Sequence, residues 1–131
     1  MAGTLVIDTL NASSGVLSTN NGMSGIAKAW AIWTGSTGAV LNSFNVSSVT
    51  RNSTGNYTVN MTTAMPNTYY VPITSAMSTF QSGLSFFTSS AIGSITSTSA
   101  FAVYGVPSGN TTSYAGQLFD NTQFYVAVFS S

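Results

Sequence analysis

The chain contains no cysteine and no histidine, and only Asp8, Lys28, Arg51 and Asp120 among its 131 side chains are charged at neutral pH. Each shortage closes off a class of chemistry. Without cysteine there is no disulfide framework, no thiol nucleophile and no thiolate metal site. Without histidine the commonest general base and the commonest transition-metal ligand are missing. A glycosidase needs two carboxylates placed on either side of a sugar, and Asp8 and Asp120 could meet only if the N-terminal part folded back or crossed to another subunit. They are better read as capping turns or pairing with Lys28 or Arg51. No catalytic residue, no metal ligand and no cofactor is therefore assigned, and a non-enzymatic protein is expected.

Two basic residues leave almost nothing for counterion release, so nucleic acid is not an expected partner. The first twenty residues lack a basic leader, and Asp8 interrupts the short apolar run Leu5 to Ile7. Neither a signal peptide nor a membrane span is expected. An ordinary soluble protein has about a quarter of its residues charged. A chain with net charge zero and positive mean hydropathy is poorly protected against association. Much of its surface is thus expected to be buried in a stable assembly, with Ser, Thr and Asn coating the rest.

What is present is a β composition. Hydrophobic residues make up 44% of the chain, which is too many for a disordered one. Val, Ile, Phe and Tyr recur in alternating runs separated by Gly, Ser, Thr and Asn. Ala27 to Trp33 sets small Ala27, Ala29 and Ala31 against Lys28, Trp30 and Ile32, as a tightly apposed strand would, and Ala39 to Val46 returns from it. In Ser43 to Tyr70, Phe44 and Val46 are expected on one face of a strand, and Tyr57, Val59 and Met61 on one face of the next. Arg51 to Asn56 reads as the polar loop between them, with Gly55 and Asn56 tolerating positive φ. Met65-Pro66-Asn67 marks a corner, and Pro72 places the following strand at an edge or a bulge.

Ser75 to Thr98 suggests two short strands, around Leu84 to Phe87 and Ile92 to Ile95. Phe101 to Tyr104 is a further strand, Gly105 to Gly116 a long loop, and Gln123 to Phe129 a closing strand. That last strand is apolar on both faces, as for a central strand or one sandwiched against a neighbouring subunit. The expected fold is all-β, an antiparallel β-sandwich or partly closed barrel over residues 26–131. Residues 1–25 are expected to form an N-terminal arm or docking strand, in which Leu5, Val6, Ile7 and Leu10 are the assembly contacts. An edge strand of the same domain is the alternative for that arm.

Trp30, Phe44, Tyr57, Phe101, Phe124 and Phe129 are expected in the core or at a subunit interface. Trp33, beside a Gly-rich turn, and Asn110, Thr111 and Tyr114, in the long loop, are the candidates for surface recognition, where a ring could stack on a sugar. Packing of those rings over the loop base is the favoured reading of each. Asn-x-Ser/Thr triplets at Asn11, Asn45, Asn52, Asn56, Asn60 and Asn110 are expected to be accidental in a chain without a secretory leader. Rows of outward Asn and Thr could hydrate a surface or bind a neutral glycan, and hydration is the expectation.

The segments GIAKAW (Gly25 to Trp30) and SFNVSSVTRNSTGNYTVNMTTAMPN (Ser43 to Asn67) together resemble a short module found in bacteriophage tail-fibre and related virion proteins, especially from phages of marine and freshwater bacteria. The resemblance covers roughly residues 25 to 70. It implies a β-rich, usually trimeric protein of the particle surface, and it brings no catalytic residue with it. The expectation is a tail-fibre-like virion appendage, a homotrimer that contacts the host surface through loops at one end, with a host-surface glycan as a possible ligand. The alternative is a capsid decoration or cement protein held to the shell by its N-terminal arm, because 131 residues leave no room for a fibre's adaptor and shaft. Tail or major capsid proteins are the corresponding partners.

Overall fold

In the computed structural model, residues 25–77, 87–108 and 117–130 are described. They form eight strands: β1 (Ala29–Thr34), β2 (Val40–Phe44), β3 (Val46–Ser53), β4 (Asn56–Met61), β5 (Val71–Met77), β6 (Phe87–Ile95), β7 (Ala100–Ser108) and β8 (Gln123–Phe129). The strands make two four-stranded antiparallel sheets in the orders β2-β1-β8-β5 and β3-β4-β7-β6. These pack face to face as a sandwich and do not close into a barrel. Among the described residues there is no helix.

The core follows from alternation. Ala29, Ala31 and Trp33 of β1 and Phe124, Val126 and Val128 of β8 point in from the first sheet, toward Tyr57, Val59 and Met61 of β4 and Phe101 and Val103 of β7. The small alanines of β1 leave room for the rings opposite. Trp33 stacks on Phe124 with centroids 5.3 Å apart, and Tyr57 meets both rings at 5.9 and 4.8 Å. These aromatic contacts add about 0.5–1.5 kcal/mol each to what area burial alone contributes. Met65 and Tyr70, in the Pro-marked corner between β4 and β5, close one end of the core. There the Tyr70 hydroxyl lies within hydrogen-bond distance of the Ser97 and Ala100 carbonyls, at 2.9 and 3.0 Å.

The central hairpin is present, with a tighter turn than the polar run suggests. β3 continues through Arg51 to Ser53, leaving Thr54 and Gly55 as the turn, and Gly55 alone there takes positive φ, at 62°. A side chain at Gly55 would also drive its Cβ to 2.4 Å from the Phe119 nitrogen. Pro72 does lie on an edge strand, β5. β8 is internal to its sheet, between β1 and β5.

Three expectations are corrected. Ala39 to Val46 is not one strand: Asn45, at φ 55°, separates β2 in the first sheet from β3 in the second. Phe44 and Val46 therefore do not share a face, and Phe44 is 55% exposed while Val46 is buried. Asn45 is held by its side chain. Its amide donates to the carbonyls of Lys28 (3.0 Å) and Thr63 (3.2 Å) and its oxygen accepts from the Thr63 N–H (2.7 Å), bonds that offset the cost of a left-handed conformation.

Second, Gly105 to Ser108 belong to β7 and not to a loop. Gly105 lets another segment approach, since a Cβ there would sit 2.0 Å from the Phe119 carbonyl oxygen. Third, β6 runs unbroken from Phe87 to Ile95, with a register shift between Ile92 and Ile95, where short pieces were expected. Gly93 lies there beneath the Tyr104 ring of β7, and a Cβ would meet that ring at 2.5 Å. Leu84 lies outside the described residues, as does the N-terminal arm.

Candidate functional surface

The two sheets share a core and differ outside: the first is largely apolar across its strands, and the β3–β4 half of the second is polar. On the outer side of β2-β1-β8-β5, strand register sets Phe44, Trp30, Ala127 and Ile73 in one row. Asn42, Ile32, Tyr125 and Ser75 form the next row. Phe129 and Val71 pair beyond the first of these. Val71 and Ile73 are 57% and 58% exposed, and Phe44 and Met77 are exposed with them. Ala127 is the low point between Trp30 and Ile73. The result is a shallow apolar depression of about 290 Å³ walled by Trp30, Ile32, Ile73 and Tyr125. No described residue covers this face.

On the outer side of β3 and β4 the same alternation presents amides and hydroxyls. Asn52 donates to Asn56 Oδ1 (3.2 Å) and Thr58 Oγ1 (2.9 Å), and Asn60 donates to Ser48 Oγ (3.1 Å) and Thr50 Oγ1 (3.3 Å). This is a cross-strand ladder of uncharged groups. Asn52, Asn56 and Asn60 are engaged through their side chains in this ladder, and Asn45 in bonds to the backbone of Lys28 and Thr63, which gives these asparagines a structural use independent of any modification motif.

One charged cluster closes the end of the sandwich opposite Asn45. Arg51, on β3, pairs with Asp120, ahead of β8, its Nε lying 3.2 and 3.1 Å from the two carboxylate oxygens and its Nη2 also in contact. Asp120 further accepts from the Gly55 N–H at 2.8 Å and lies within hydrogen-bond reach of the Tyr57 hydroxyl. That hydroxyl is also 2.7 Å from the Gly35 carbonyl, so its single proton serves one of two acceptors at a time. Burial raises the Asp120 pKa, but the hydrogen bonds from Arg51, Gly55 and Tyr57 outweigh it and hold the carboxyl below its ordinary value. Burial first, and then the neighbouring carboxylate, push the Tyr57 phenol well above its usual range. One carboxylate bound by three donors clamps a turn to a strand. Its expected pairing with Arg51 is thus realised in the structure.

Trp33, a sequence candidate for surface recognition, is fully buried and is corrected to a core residue. Its place on β1 in the inward register of Ala29 and Ala31 carries it under the second sheet. Its indole Nε1 finds no acceptor among the described residues, so the ring is held there by packing. Asn110, Thr111 and Tyr114, and the arm residues Leu5, Val6, Ile7 and Leu10, lie outside the described residues. The apolar outer face was signalled by β1 and β8, AWAIWT and QFYVAVF, which are apolar in both registers. Its extension onto Val71, Ile73 and Phe44 was not. Among the described residues no three His, Cys, Asp or Glu side chains cluster to hold a metal.

No family model, curated protein or solved structure matches this chain.

Proposed function

We propose that the protein is a non-enzymatic structural subunit of a bacteriophage particle, a tail-fibre-like surface module that works by assembly and host-surface contact. The observation that carries this reading is the unequal sandwich. One sheet leaves an apolar outer face, suited to permanent burial against another protein, and on the other the β3–β4 half carries a neutral hydrogen-bonding ladder suited to water. The near absence of charge fits the same division, since a subunit kept soluble by its assembly does not need the charged surface of a free monomer. The resemblance of residues 25 to 70 to phage fibre modules supplies the phage context. Loops at one end of the module, and the ladder, are then the parts turned toward the host surface.

Immunogold labelling of intact phage particles with antibody raised against the whole chain tests this. Gold confined to the tail is the expected result. Gold spread over the head would replace the fibre reading with that of a capsid decoration protein. Particles without label would overturn the virion assignment.

A further inference from the structure

Resting on that reading of the outer face as an assembly surface, we propose that its occupant is a second copy of this chain, packed sheet on sheet. Size supports this first. Phe44, Val71, Ile73 and Met77 are each 44–58% exposed. With the half-buried Trp30, Ile32, Tyr125 and Phe129 they form a patch on the order of 500 Å². That is at the upper end of what a monomer leaves open in one patch. Two such faces together bury about 1,000 Å² of apolar surface before any polar rim is counted, which meets the area a specific interface has to clear.

Charge supports it second. Apart from Lys28 near its margin, the face carries no ionisable group with a charge at neutral pH, so two copies meet without like-charge repulsion. A strongly charged partner would find little to pair with there. Shape agrees as well, because sheets pack about 10 Å apart through interdigitating side chains. The depression over Ala127 and the ridges at Phe44 and Ile73 provide both a hole and a knob on one surface, as a self-complementary contact requires.

Of the chain outside the described residues, the longest stretch is 1–24, and one pass of it does not cover the face. Its large apolar residues are Met1, Leu5, Val6, Ile7, Leu10, Val16, Leu17 and Met23. In an extended segment alternation would turn about half of these away from the sheet. A single pass would also be one strand wide, about 5 Å, across a face four strands wide.

The test is the mass in solution of the recombinant full chain, measured by light scattering through a dilution series, for the native sequence and for Ile73→Lys, Val71→Lys and Thr58→Lys. Both lysines at 71 and 73 replace residues more than half exposed on an edge strand, so the fold is expected to persist, with circular dichroism as the check. The native chain should have a multiple of the single-chain mass. Ile73→Lys and Val71→Lys should weaken self-association at least about ten-fold by burying an unpaired charge, and Thr58→Lys, on the ladder, should not. A native chain of single mass at every concentration would overturn the proposal, as would dissociation by Thr58→Lys alone. So would a single-mass species in which cysteines introduced at Leu5 and Ile73 cross-link within one chain, a clean probe in a protein without native cysteine. These results are separable from the particle assignment. Labelled particles with a monomeric chain would remove this proposal only, and a self-associating chain absent from particles would remove only the assignment above.

Discussion

The outer faces of the two sheets are built by the same alternation and differ in everything alternation does not decide. In β4, NYTVNM, the inward set is Tyr57, Val59 and Met61 and the outward set is Asn56, Thr58 and Asn60. In β8, QFYVAVF, the inward set is Phe124, Val126 and Val128, and the outward set is Gln123, Tyr125, Ala127 and Phe129. The core needs only the first set of each. The second is free to vary with what lies outside, and here it changes from amide and hydroxyl on β4 to mostly apolar on β8. A strand with one apolar face is explained by its own domain. A strand with two, in a two-layer sandwich, points to a third layer.

That contrast presupposes that both faces hang from one core, and the most damaging test removes a shared ring. Phe124→Ala should cost about 3–5 kcal/mol, because Phe124 lies between Trp33 of its own sheet and Tyr57 of the other. Denaturant unfolding should show the whole loss in one transition. Separate transitions for probes on the two sheets would mean that the faces belong to independent units.

The next test strikes the clamp that holds the sheets in register. Asp120→Asn should cost about 2–3 kcal/mol, since hydrogen bonds to charged groups are worth about 1.5–3 kcal/mol, and three donors lose their anionic acceptor. The same carboxylate predicts a pH dependence. Its pKa is lower folded than the unfolded value of about 3.9, so as pH falls the unfolded state takes up the proton first. The clamp's stabilisation is therefore complete above about pH 5 and is lost as pH falls through the folded pKa. Thermal melts of the native chain should show this acid limb and Asp120→Asn should lack most of it. An unchanged limb in the variant would assign it elsewhere.

A comparable effect is expected at the pivot where the chain leaves one sheet for the other. Asn45→Ala loses three side-chain hydrogen bonds and puts an alanine at φ 55°. The expected cost is about 2–3 kcal/mol. Asn45→Gly should recover the backbone part only. If Asn45→Gly is as stable as the native chain in chemical denaturation, the side-chain bonds contribute nothing and the pivot is held by its dihedrals alone.

How much of this was legible follows from which physical signal each residue carries. The β3–β4 hairpin was readable because both strands alternate and Gly55 supplies the positive φ the turn needs. Pro72 announced an edge by lacking a donor, and β8 announced two apolar environments. Asn45 was unreadable, because switching sheets preserves the local alternation of SFNVS and changes only which sheet each residue faces. Gly105 looked like a loop opener and proved to be a close approach between segments distant in sequence. Trp33 was misassigned for a related reason: proximity to a turn says little about exposure when the strand's register already points the ring inward. The candidate face was half visible. Trp30, Ile32 and Tyr125 lie in strands with apolar residues on both sides, but bringing Phe44 and Ile73 alongside them required the strand order.

The smallest expected effect gives the sharpest form of the contrast. Asn60→Ala removes a side chain that donates to Ser48 and Thr50 across the ladder. Those bonds lie at the surface, so water replaces them, and the expected cost in a denaturant titration is no more than about 0.5 kcal/mol. Ile73→Ala, which trims a residue already 58% exposed, should change the unfolding of the single chain by a similarly small amount. The two variants should then part company in solution mass, where only Ile73→Ala weakens association. A loss above about 1 kcal/mol for Asn60→Ala would mean that the ladder's hydrogen bonds act as part of the fold and are more than a hydrating coat. In that case the two outer faces would differ in strength of cohesion as well as in polarity, and the polar one would be poorly placed to rearrange around a ligand.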